Sequence, residues 1–242
     1  MNKPITRALI LAAGLGTRMR PLTDDRPKPL VKVAGRALID HAIDRLVAAG
    51  IKMIVVNVHY HAEMLKAHLA NRIDVEIRIS DETDAILGTG GGIVRALPHF
   101  EGEPFFVHNS DTIWAEGYGH AINRIMERWN PDEMDVLLLM ASLVTAMGYE
   151  GRGDFVMSAD GKLGRVPEGR LSPFAYPGVY IVHPRLFDGA PTGRFSINPL
   201  WDKAMEQGRL YGMRLDGVWI HVGTPQGLED AENFLRDLAL EP

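Results

Sequence analysis

The chain has 242 residues, of which 46% are hydrophobic and 24% charged, values ordinary for a globular protein that buries a sizeable core. Its net charge of −5 gives no electrostatic reason to expect a nucleic-acid partner, and the absence of cysteine excludes disulfides, thiolate nucleophiles and cysteine zinc sites. No apolar run approaches the ~18 residues of a membrane span, so we expect no membrane partner and take the cytoplasm as the default location.

The first half of the chain alternates strand-like and helix-like segments. Residues 8–13 form a continuous apolar run that ends at Gly14, as is typical of a strand buried on both faces. The alternation predicts an α/β fold with a mainly parallel sheet, helices on both faces, and ligands bound beyond the carboxyl ends of the strands. Gly14 and Asp111 both follow a predicted strand and should share that edge. Strands are predicted at 8–13, 53–58, 75–79, 105–108 and 135–141, and helices at 38–47, 61–69, 92–97 and 118–129.

The second half changes to short β-type runs with turn residues between them. Asp160-Gly161 and Asp216-Gly217 are dipeptides typical of hairpin turns, so each predicts two antiparallel strands. Thr224 followed by Pro225 predicts the start of the last helix. We therefore expect a single domain whose second half adds antiparallel strands to one end of the sheet. The other predictions here are a strand at Val179–Val182, a helix at 199–207, and a buried stripe of the last helix formed by Leu228, Ala231, Phe234, Leu235 and Leu238.

The segment with the clearest chemistry is LAAGLGTRMRPLT at 11–23, followed by PKPL at 27–30. Its glycines let backbone N–H groups approach an anion closely, and its arginine carries a fork that matches phosphate oxygens. The lysine adds a point charge on a stretch that two prolines stiffen. The segment therefore predicts a grip on a triphosphate. The groups that would form it belong to Gly14, Gly16, Thr17, Arg18 and Lys28.

Two common phosphate-binding loops do not fit this segment. A P-loop would need Gly-Lys-Ser/Thr after four intervening residues, and that sequence is absent. A dinucleotide loop would need Gly or Ala three residues after Gly16, where Met19 stands, and the prolines at 21, 27 and 29 prevent a long helix from beginning there. The pattern is therefore a glycine loop continued by an extended basic arm.

The segment resembles the signature of the sugar-1-phosphate nucleotidyltransferases, L-A-A-G-x-G-T-R-[ML]-x-P-L-T followed by P-K-P-[LM]. More narrowly, the chain resembles the bacterial N-acetylmuramic acid 1-phosphate uridylyltransferases of cell-wall recycling, through TGGGI at 89–93, ALP at 96–98 and GRGDF at 151–155. The resemblance covers nearly the whole chain. It implies one Rossmann-like (GT-A-like) domain at 1–242, with a nucleotide-binding half at 1–141 and a sugar-phosphate-binding half at 142–242.

The resemblance also implies a reaction and its residues. A sugar-1-phosphate oxygen would attack the α-phosphorus of a nucleoside triphosphate, UTP in the narrower group, and pyrophosphate would leave. Catalytic roles are implied for Arg18, Lys28 and Asp111. The implied nucleotide-binding residues are Leu11, Ala12, Ala13, Gly14, Gly16, Thr17, Arg18, Lys28, Thr89, Gly90 and Gly91, and the acceptor-binding residues are Asn109, Arg152, Gly153, Asp154, Tyr180 and Asn198.

A divalent cation is expected next to the triphosphate, held by Asp111 and His221. Mg²⁺ prefers one or two carboxylates together with phosphate oxygens and water. The resembling enzymes usually carry Asp at the position of His221, which is a poorer ligand for Mg²⁺. Three interpretations stay open: His221 binds the ion through water or favours Mn²⁺, it is not a ligand, or it contacts phosphate as a cation.

Other functions remain possible at this stage. One alternative is nucleotidyl transfer to a different sugar, as in mannose-1-phosphate guanylyl- or glucose-1-phosphate thymidylyltransferases. The Glu-Lys-Pro element of many such enzymes has only a loose counterpart at 165–168. A second alternative is a non-catalytic sensing relative, which the His221 change permits. A third is a glycosyltransferase, which would need Asp-x-Asp where this chain has Asn109-Ser110-Asp111.

Overall fold

A ten-stranded mixed sheet forms the centre of the protein in the computed structural model, which describes residues 4–240. The helices are α1 Leu38–Ala48, α2 Ala62–Leu69, α3 Gly88–Ala96, α4 Ala121–Arg128, α5 Asn198–Glu206 and α6 Pro225–Leu240. The strands are β1 Arg7–Leu11, β2 Lys32–Val33, β3 Arg36–Ala37, β4 Met53–Val58, β5 Glu76–Asp81, β6 Phe105–Asn109, β7 Thr112–Glu116, β8 Val136–Ser142, β9 Phe155–Met157, β10 Leu163–Arg165, β11 Phe174–Ala175, β12 Val179–Val182, β13 Leu210–Arg214 and β14 Gly217–His221.

The sheet is parallel where the first half of the chain forms it. Its strands run in the order β10-β9-β11-β8-β12-β6-β1-β4-β5, and β13 pairs with β8. The pairs β1–β4, β1–β6 and β4–β5 are parallel, whereas β12 lies antiparallel to both β6 and β8. This arrangement confirms the predicted α/β fold, and the second half does add antiparallel strands. They are not confined to one end of the sheet as expected, because β12 pairs with both β6 and β8 and so lies between them.

Alternating side chains of the central strands bury both faces of the sheet. Ala8 and Ile10 of β1 pack in a core with α1, α2 and α4, while Leu9 packs in a second core with α3 and α5. The prediction of helices on both faces is therefore confirmed. Two helix starts differ from the predicted ones by more than one residue: α3 begins four residues earlier, at Gly88, and α4 three residues later, at Ala121. None of the helices within residues 4–240 has the length and apolar character needed to cross a membrane.

One of the two predicted hairpins is wrong. The Asp160-Gly161 turn joins β9 and β10, which pair antiparallel as expected. Asp216-Gly217 instead connects β13 of the main sheet to β14, which pairs with β7 in a separate two-stranded sheet. The turn residues were recognised correctly, but β14 buries Trp219 and Ile220 by pairing with β7 rather than with the strand before it.

The last helix begins as predicted. Thr224 Oγ1 accepts a hydrogen bond from the Gly227 backbone N–H at 3.1 Å, so it is the N-cap. Ala231 is fully buried in a third core beneath β14 and β2, and Leu228, Phe234 and Leu235 pack against it. Leu238, which we expected in the stripe, is 45% exposed because it lies beyond the part of α6 that this core covers.

A buried acid joins three segments next to β8. Asp135 Oδ1 accepts from Arg185 Nε at 2.5 Å and from Arg209 Nε at 2.8 Å, and its side chain is only 9% exposed. Burial raises the pKa of Asp135, but the bonds from Arg209 and Arg185 outweigh it and leave the pKa below the usual 3.8. A lowered pKa means that the ionised carboxylate stabilises the fold at neutral pH, and that this contribution declines as the pH falls below about 4.

We expect Asp135→Asn to lower the free energy of unfolding by about 2 kcal/mol at pH 7, because two guanidinium groups lose their shared carboxylate. Urea unfolding at a series of pH values measures the effect, and the gap to the wild type should narrow below about pH 4. Asp132→Asn is the matched control, since the Asp132 side chain is exposed and only its backbone oxygen accepts from Arg209. Equal stability of the two variants at pH 7 would contradict the assignment.

Candidate nucleotide-binding site

Two hydrogen bonds fix the loop that follows β1 at the carboxyl edge of the sheet. Ala12 N–H donates to Asn57 Oδ1 at 2.6 Å, and Thr23 Oγ1 donates to the Gly16 carbonyl at 2.9 Å. Gly16 has φ +65°, and a Cβ there would lie 3.0 Å from the Lys28 Cβ. A side chain at Gly16 would therefore be strained and would crowd Lys28, so glycine is required for this turn.

Lys28 reaches across the edge to the strand that follows. It begins a short 3₁₀ turn after Pro27, and its Nζ lies 2.6 Å from Asp111 Oδ2. The two side chains are 11% and 30% exposed, so the pair is largely shielded from solvent. Asp111 lies between β6 and β7, and the Ser110 N–H before it donates to the Leu11 carbonyl at 3.1 Å. The basic arm and the acid therefore meet at the end of β1.

Two adjoining cavities follow this edge. The larger is about 250 Å³ and the smaller about 200 Å³, and they share Gly14, Gly16, Lys28 and Asp111. The larger is also lined by Leu11, Ala12, Ala13, Pro29, Asn57, Glu82, Ile86, Gly88, Thr89, Asn109 and Ser110. The smaller is also lined by Thr17, Arg18, Met19 and Gly223.

His221 is brought towards Asp111 by the pairing of β14 with β7. His221 lies opposite Thr112, the residue after Asp111, and its ring packs against those of Tyr149 and Trp219 at centroid distances of 6.1 and 5.3 Å. Burial lowers the pKa of His221; Asp111 opposes this, while Lys28 and Arg18 add to it. The imidazole is thus held in the neutral form, which is the form that binds a metal ion.

The shape and charge of the two cavities suit one elongated anion. The smaller cavity has Arg18 and Lys28 on its wall, whereas the larger has backbone groups, apolar side chains and a buried Asn57–Glu82 pair. A nucleoside triphosphate would place its phosphates against the cations and its base in the larger cavity. The arrangement can hold a polyphosphate with its inner phosphorus near Lys28 and Asp111.

Comparison with known proteins agrees with this geometry. The sequence profile described as Nucleotidyl transferase matches residues 7–237. This chain belongs to the nucleotidyl transferase family. It is 48% identical over 234 residues to an N-acetylmuramate alpha-1-phosphate uridylyltransferase of Caulobacter vibrioides, a match covering 95% of this chain and 97% of the relative.

More distant relatives carry both the same name and different ones. A protein of the same name from Neisseria meningitidis serogroup B is 34% identical, over 93% of this chain and 96% of its own. The mannose-1-phosphate guanylyltransferase catalytic subunit beta of Drosophila pseudoobscura pseudoobscura is 32% identical, but the match covers only 60% of its length. An apo UDP-glucose pyrophosphorylase structure superposes with a TM-score of 0.82, covering 98% of this chain and 100% of the other, at 17% identity, which supports the fold alone.

Most of the residues predicted to bind nucleotide line the two cavities of this nucleotidyl transferase. Gly90 and Gly91 do not. They are buried in α3, their N–H groups donate to the Phe195 carbonyl, and a Cβ on Gly91 would lie 2.2 Å from the Gly193 carbonyl oxygen. Close packing against the chain at 193–195 therefore explains why these two positions are glycine. The predicted residues that do line a cavity are Leu11, Ala12, Ala13, Gly14, Gly16, Thr17, Arg18, Lys28 and Thr89.

The predicted acceptor-binding residues are dispersed. Asn109 lines the larger cavity, and Asp154 Oδ2 accepts from the Tyr176 N–H at 2.8 Å. Tyr180 is 1% exposed inside the core, and Asn198 is exposed with its Oδ1 accepting from Arg165 at 3.1 Å, so neither faces a cavity. The remaining two are Arg152, which is exposed, and Gly153, which has φ +79°.

Asp111 and His221 provide two protein ligands of the types expected for a divalent cation. Within residues 4–240 no group of three or more His, Cys, Asp or Glu side chains could hold a metal ion. Mg²⁺ at a triphosphate is commonly held by one or two protein groups, with phosphate oxygens and water completing the shell. The residues present therefore fit a cation that binds together with the triphosphate.

Two polar residues of the larger cavity were missed by the sequence reasoning. Asn57 is a single amide in the otherwise apolar strand β4, and Glu82 directly follows β5. Both are buried and bonded to each other, Asn57 Nδ2 to Glu82 Oε1 at 2.7 Å. An amide within a fully buried strand must find partners inside the fold, which was the signal available in the sequence.

We expect Arg18→Ala and Lys28→Ala each to weaken UTP binding by about tenfold to a hundredfold, because each removes a cation facing phosphate oxygens. Titration calorimetry with UTP and Mg²⁺ gives the affinities. Arg20→Ala is the matched control, since Arg20 pairs with Asp24 at 3.3 Å and lines neither cavity. Wild-type affinity for UTP in both site variants would contradict the assignment of Arg18 and Lys28 to phosphate binding.

Proposed function

We propose that this chain transfers UMP from UTP to N-acetylmuramate α-1-phosphate, giving the UDP-sugar and pyrophosphate. The observation that carries the proposal is the 48% identity over nearly the whole length of the Caulobacter protein with that activity in its name. The joined cavities, with Arg18 in the smaller one, Lys28 at their junction, and backbone and apolar groups in the larger one, are consistent with it. UTP is a cytosolic metabolite, so we place the reaction in the cytoplasm, as a step of cell-wall recycling.

The reaction is an in-line substitution at phosphorus. An oxygen of the sugar phosphate forms a bond to the α-phosphorus of UTP, the bond from that phosphorus to the bridging oxygen breaks, and pyrophosphate carries away the electron pair. Catalysis of such a step is mainly positioning and charge stabilisation. Under this proposal Arg18 and Thr17, which line the smaller cavity, hold the outer phosphates, and Lys28, which lines both cavities, holds the inner one.

Asp111 and His221 would hold the divalent cation, Mg²⁺ or Mn²⁺. When bound, such an ion neutralises charge on the phosphate oxygens and orients the leaving group. Lys28 pairs with Asp111 in the free protein and would exchange this carboxylate for phosphate when the triphosphate arrives. Under this proposal 1–141 supplies the nucleotide contacts, and 142–242 supplies His221 and most of the acceptor contacts.

The acceptor carries a second anionic group, because muramate is a sugar carboxylate. The carboxylates of Asp111 and Asp154 both act on the hydroxyl group of Tyr176. Burial raises the pKa of Tyr176 most, and Tyr180, Asp111 and Asp154 raise it further. A carboxylated sugar would be repelled there unless a cation faced it. The Arg152 guanidinium forms no hydrogen bond or ion pair with the residues at 4–240. Tyr149, three residues before it, contacts His221. We therefore assign Arg152 to the acceptor's anionic groups, with Gly153, Asp154 and Asn109 beside it.

A panel of substrates tests the function. Purified protein with Mg²⁺ or Mn²⁺ should release pyrophosphate from UTP and N-acetylmuramate α-1-phosphate, and much more slowly when GTP, dTTP or CTP replaces UTP or when mannose 1-phosphate or glucose 1-phosphate is the acceptor. A continuous pyrophosphate assay gives the rates. Preference for GTP with mannose 1-phosphate would establish the guanylyltransferase alternative instead. Binding without turnover for every pair would indicate a sensing relative, and sugar transfer without pyrophosphate a glycosyltransferase.

We expect Arg152→Ala to raise KM for N-acetylmuramate α-1-phosphate about tenfold or more, since a charge-assisted hydrogen bond to the carboxylate is lost. N-acetylglucosamine 1-phosphate has no such carboxylate, so its weaker turnover should change little. Lys162→Ala, which removes an exposed cation paired with Asp160 on the β9–β10 hairpin, is the control. Equal losses with both sugars would assign Arg152 to the phosphate rather than to the carboxylate.

A further inference from the structure

Asn57 and Glu82 form a buried polar link under the larger cavity. They are 2% and 1% exposed. Asn57 Oδ1 accepts from the Ala12 N–H at 2.6 Å, and Asn57 Nδ2 donates to Glu82 Oε1 at 2.7 Å. Glu82 opens the segment that leads from β5 into α3, and the Leu87 backbone N–H at the end of that segment lowers the pKa of its carboxyl group. The link therefore ties the loop after β1 to the loop that enters α3.

The middle of α3 packs directly against this link. A Cβ on Gly92 would lie 2.7 Å from Glu82 Oε1 and 2.9 Å from Asn57 Nδ2, so the helix can approach this closely only because residue 92 is glycine. Burial raises the pKa of Glu82, and the hydrogen bonds from Asn57 and Leu87 oppose that rise. A buried carboxylate costs more to desolvate than an apolar pair of the same volume, so stability alone does not explain its presence.

The link lies at the end of the site that would hold the base. Asn57 and Glu82 line the larger cavity together with Ile86, Gly88 and Thr89, and they do not line the smaller cavity with Arg18. A triphosphate with its phosphates on Arg18 and Lys28 has its base between the backbone of 11–13 and that of 86–89. These are the two segments that the link joins.

We propose that the Asn57–Glu82 link is a positioning device that fixes the two backbone walls of the base slot and so sets the preference for one base. It acts through the Ala12 and Leu87 N–H groups, whose orientation it determines, and not on the phosphates. Because hydrogen bonds are directional, a wall held by two of them presents its remaining N–H and C=O groups in one fixed pattern. The inference rests on the proposed function only in taking UTP as the nucleotide.

A reciprocal exchange of the two side chains tests the device. In the double variant Asn57→Asp/Glu82→Gln, the carboxylate introduced at position 57 can accept from the Ala12 N–H and from the amide introduced at position 82. The oxygen of that amide can accept from the Leu87 N–H, so all the bonds and the net charge are kept. Asn57→Asp alone places two carboxylates together, and Glu82→Gln alone leaves one N–H donor facing an amide N–H.

We expect Glu82→Gln to weaken UTP binding about tenfold, as the loss of one hydrogen bond would, and Asn57→Asp to weaken it more. The double variant should recover to within about threefold of the wild type. Titration calorimetry should also show that inorganic tripolyphosphate, which has no base, binds all four proteins alike. In turnover assays Glu82→Gln should raise KM for UTP, leave kcat nearly unchanged, and reduce the preference for UTP over CTP.

Asp84→Asn is the matched carboxylate-to-amide control, since Asp84 lies in the same segment, is 66% exposed and pairs with Arg95. Losses of UTP and tripolyphosphate affinity in equal measure, a double variant no better than Glu82→Gln, or unchanged base preference would each overturn the proposal. If Asn57→Asp does not fold, Glu82→Gln and the double variant still decide it. A wild type that prefers another triphosphate would refute the proposed function. The Asn57 and Glu82 variants would then be assayed with that triphosphate.

Discussion

The site depends on the parallel register of β4, β1 and β6. Leu11, the last residue of β1, is paired with Asn57 on one side and with Asn109 on the other. The three strands therefore end in one row, and the chain that leaves each of them contributes to the same edge. The glycine loop leaves β1 there and Asp111 lies two residues past β6, so a parallel sheet brings residues about a hundred positions apart into one cavity.

Charge is concentrated locally on an otherwise acidic chain. With a net charge of −5, the protein as a whole does not attract a triphosphate, so the attraction must come from Arg18 and Lys28 at the smaller cavity. The Lys28–Asp111 pair keeps a nearly buried lysine neutralised until a ligand enters. A triphosphate that takes over Lys28 leaves Asp111 facing added negative charge, which favours a divalent cation at Asp111. Under the proposed function, triphosphate and cation binding would therefore be coupled through the Lys28–Asp111 ion pair.

The sequence alone predicted the features that depend only on residues close together in the chain. The glycine loop, the basic arm, the βα alternation and the Thr224 cap each depend on neighbouring residues, and the structure has them. The expected hairpin at 216–217 failed because turn residues do not choose the partner of the strand that follows. Gly90 and Gly91 were interpreted as base contacts although their small size serves packing against 193–195. Tyr180 is placed inside the core by the pairing of β12 with β6 and β8, which no local pattern reveals.

The proposed base slot is supported by segments from both halves of the chain. The N–H groups of Gly90 and Gly91 are capped by the Phe195 carbonyl, and Thr89 Oγ1 accepts from the Ile197 N–H at 3.0 Å. Thr89 lines the larger cavity, so the approach to α5 forms the outer support of one wall while the Asn57–Glu82 link forms its inner support. A wall held on both sides loses little further freedom when a flat base enters, and an ordered slot of this kind can discriminate between bases by the groups it leaves unpaired.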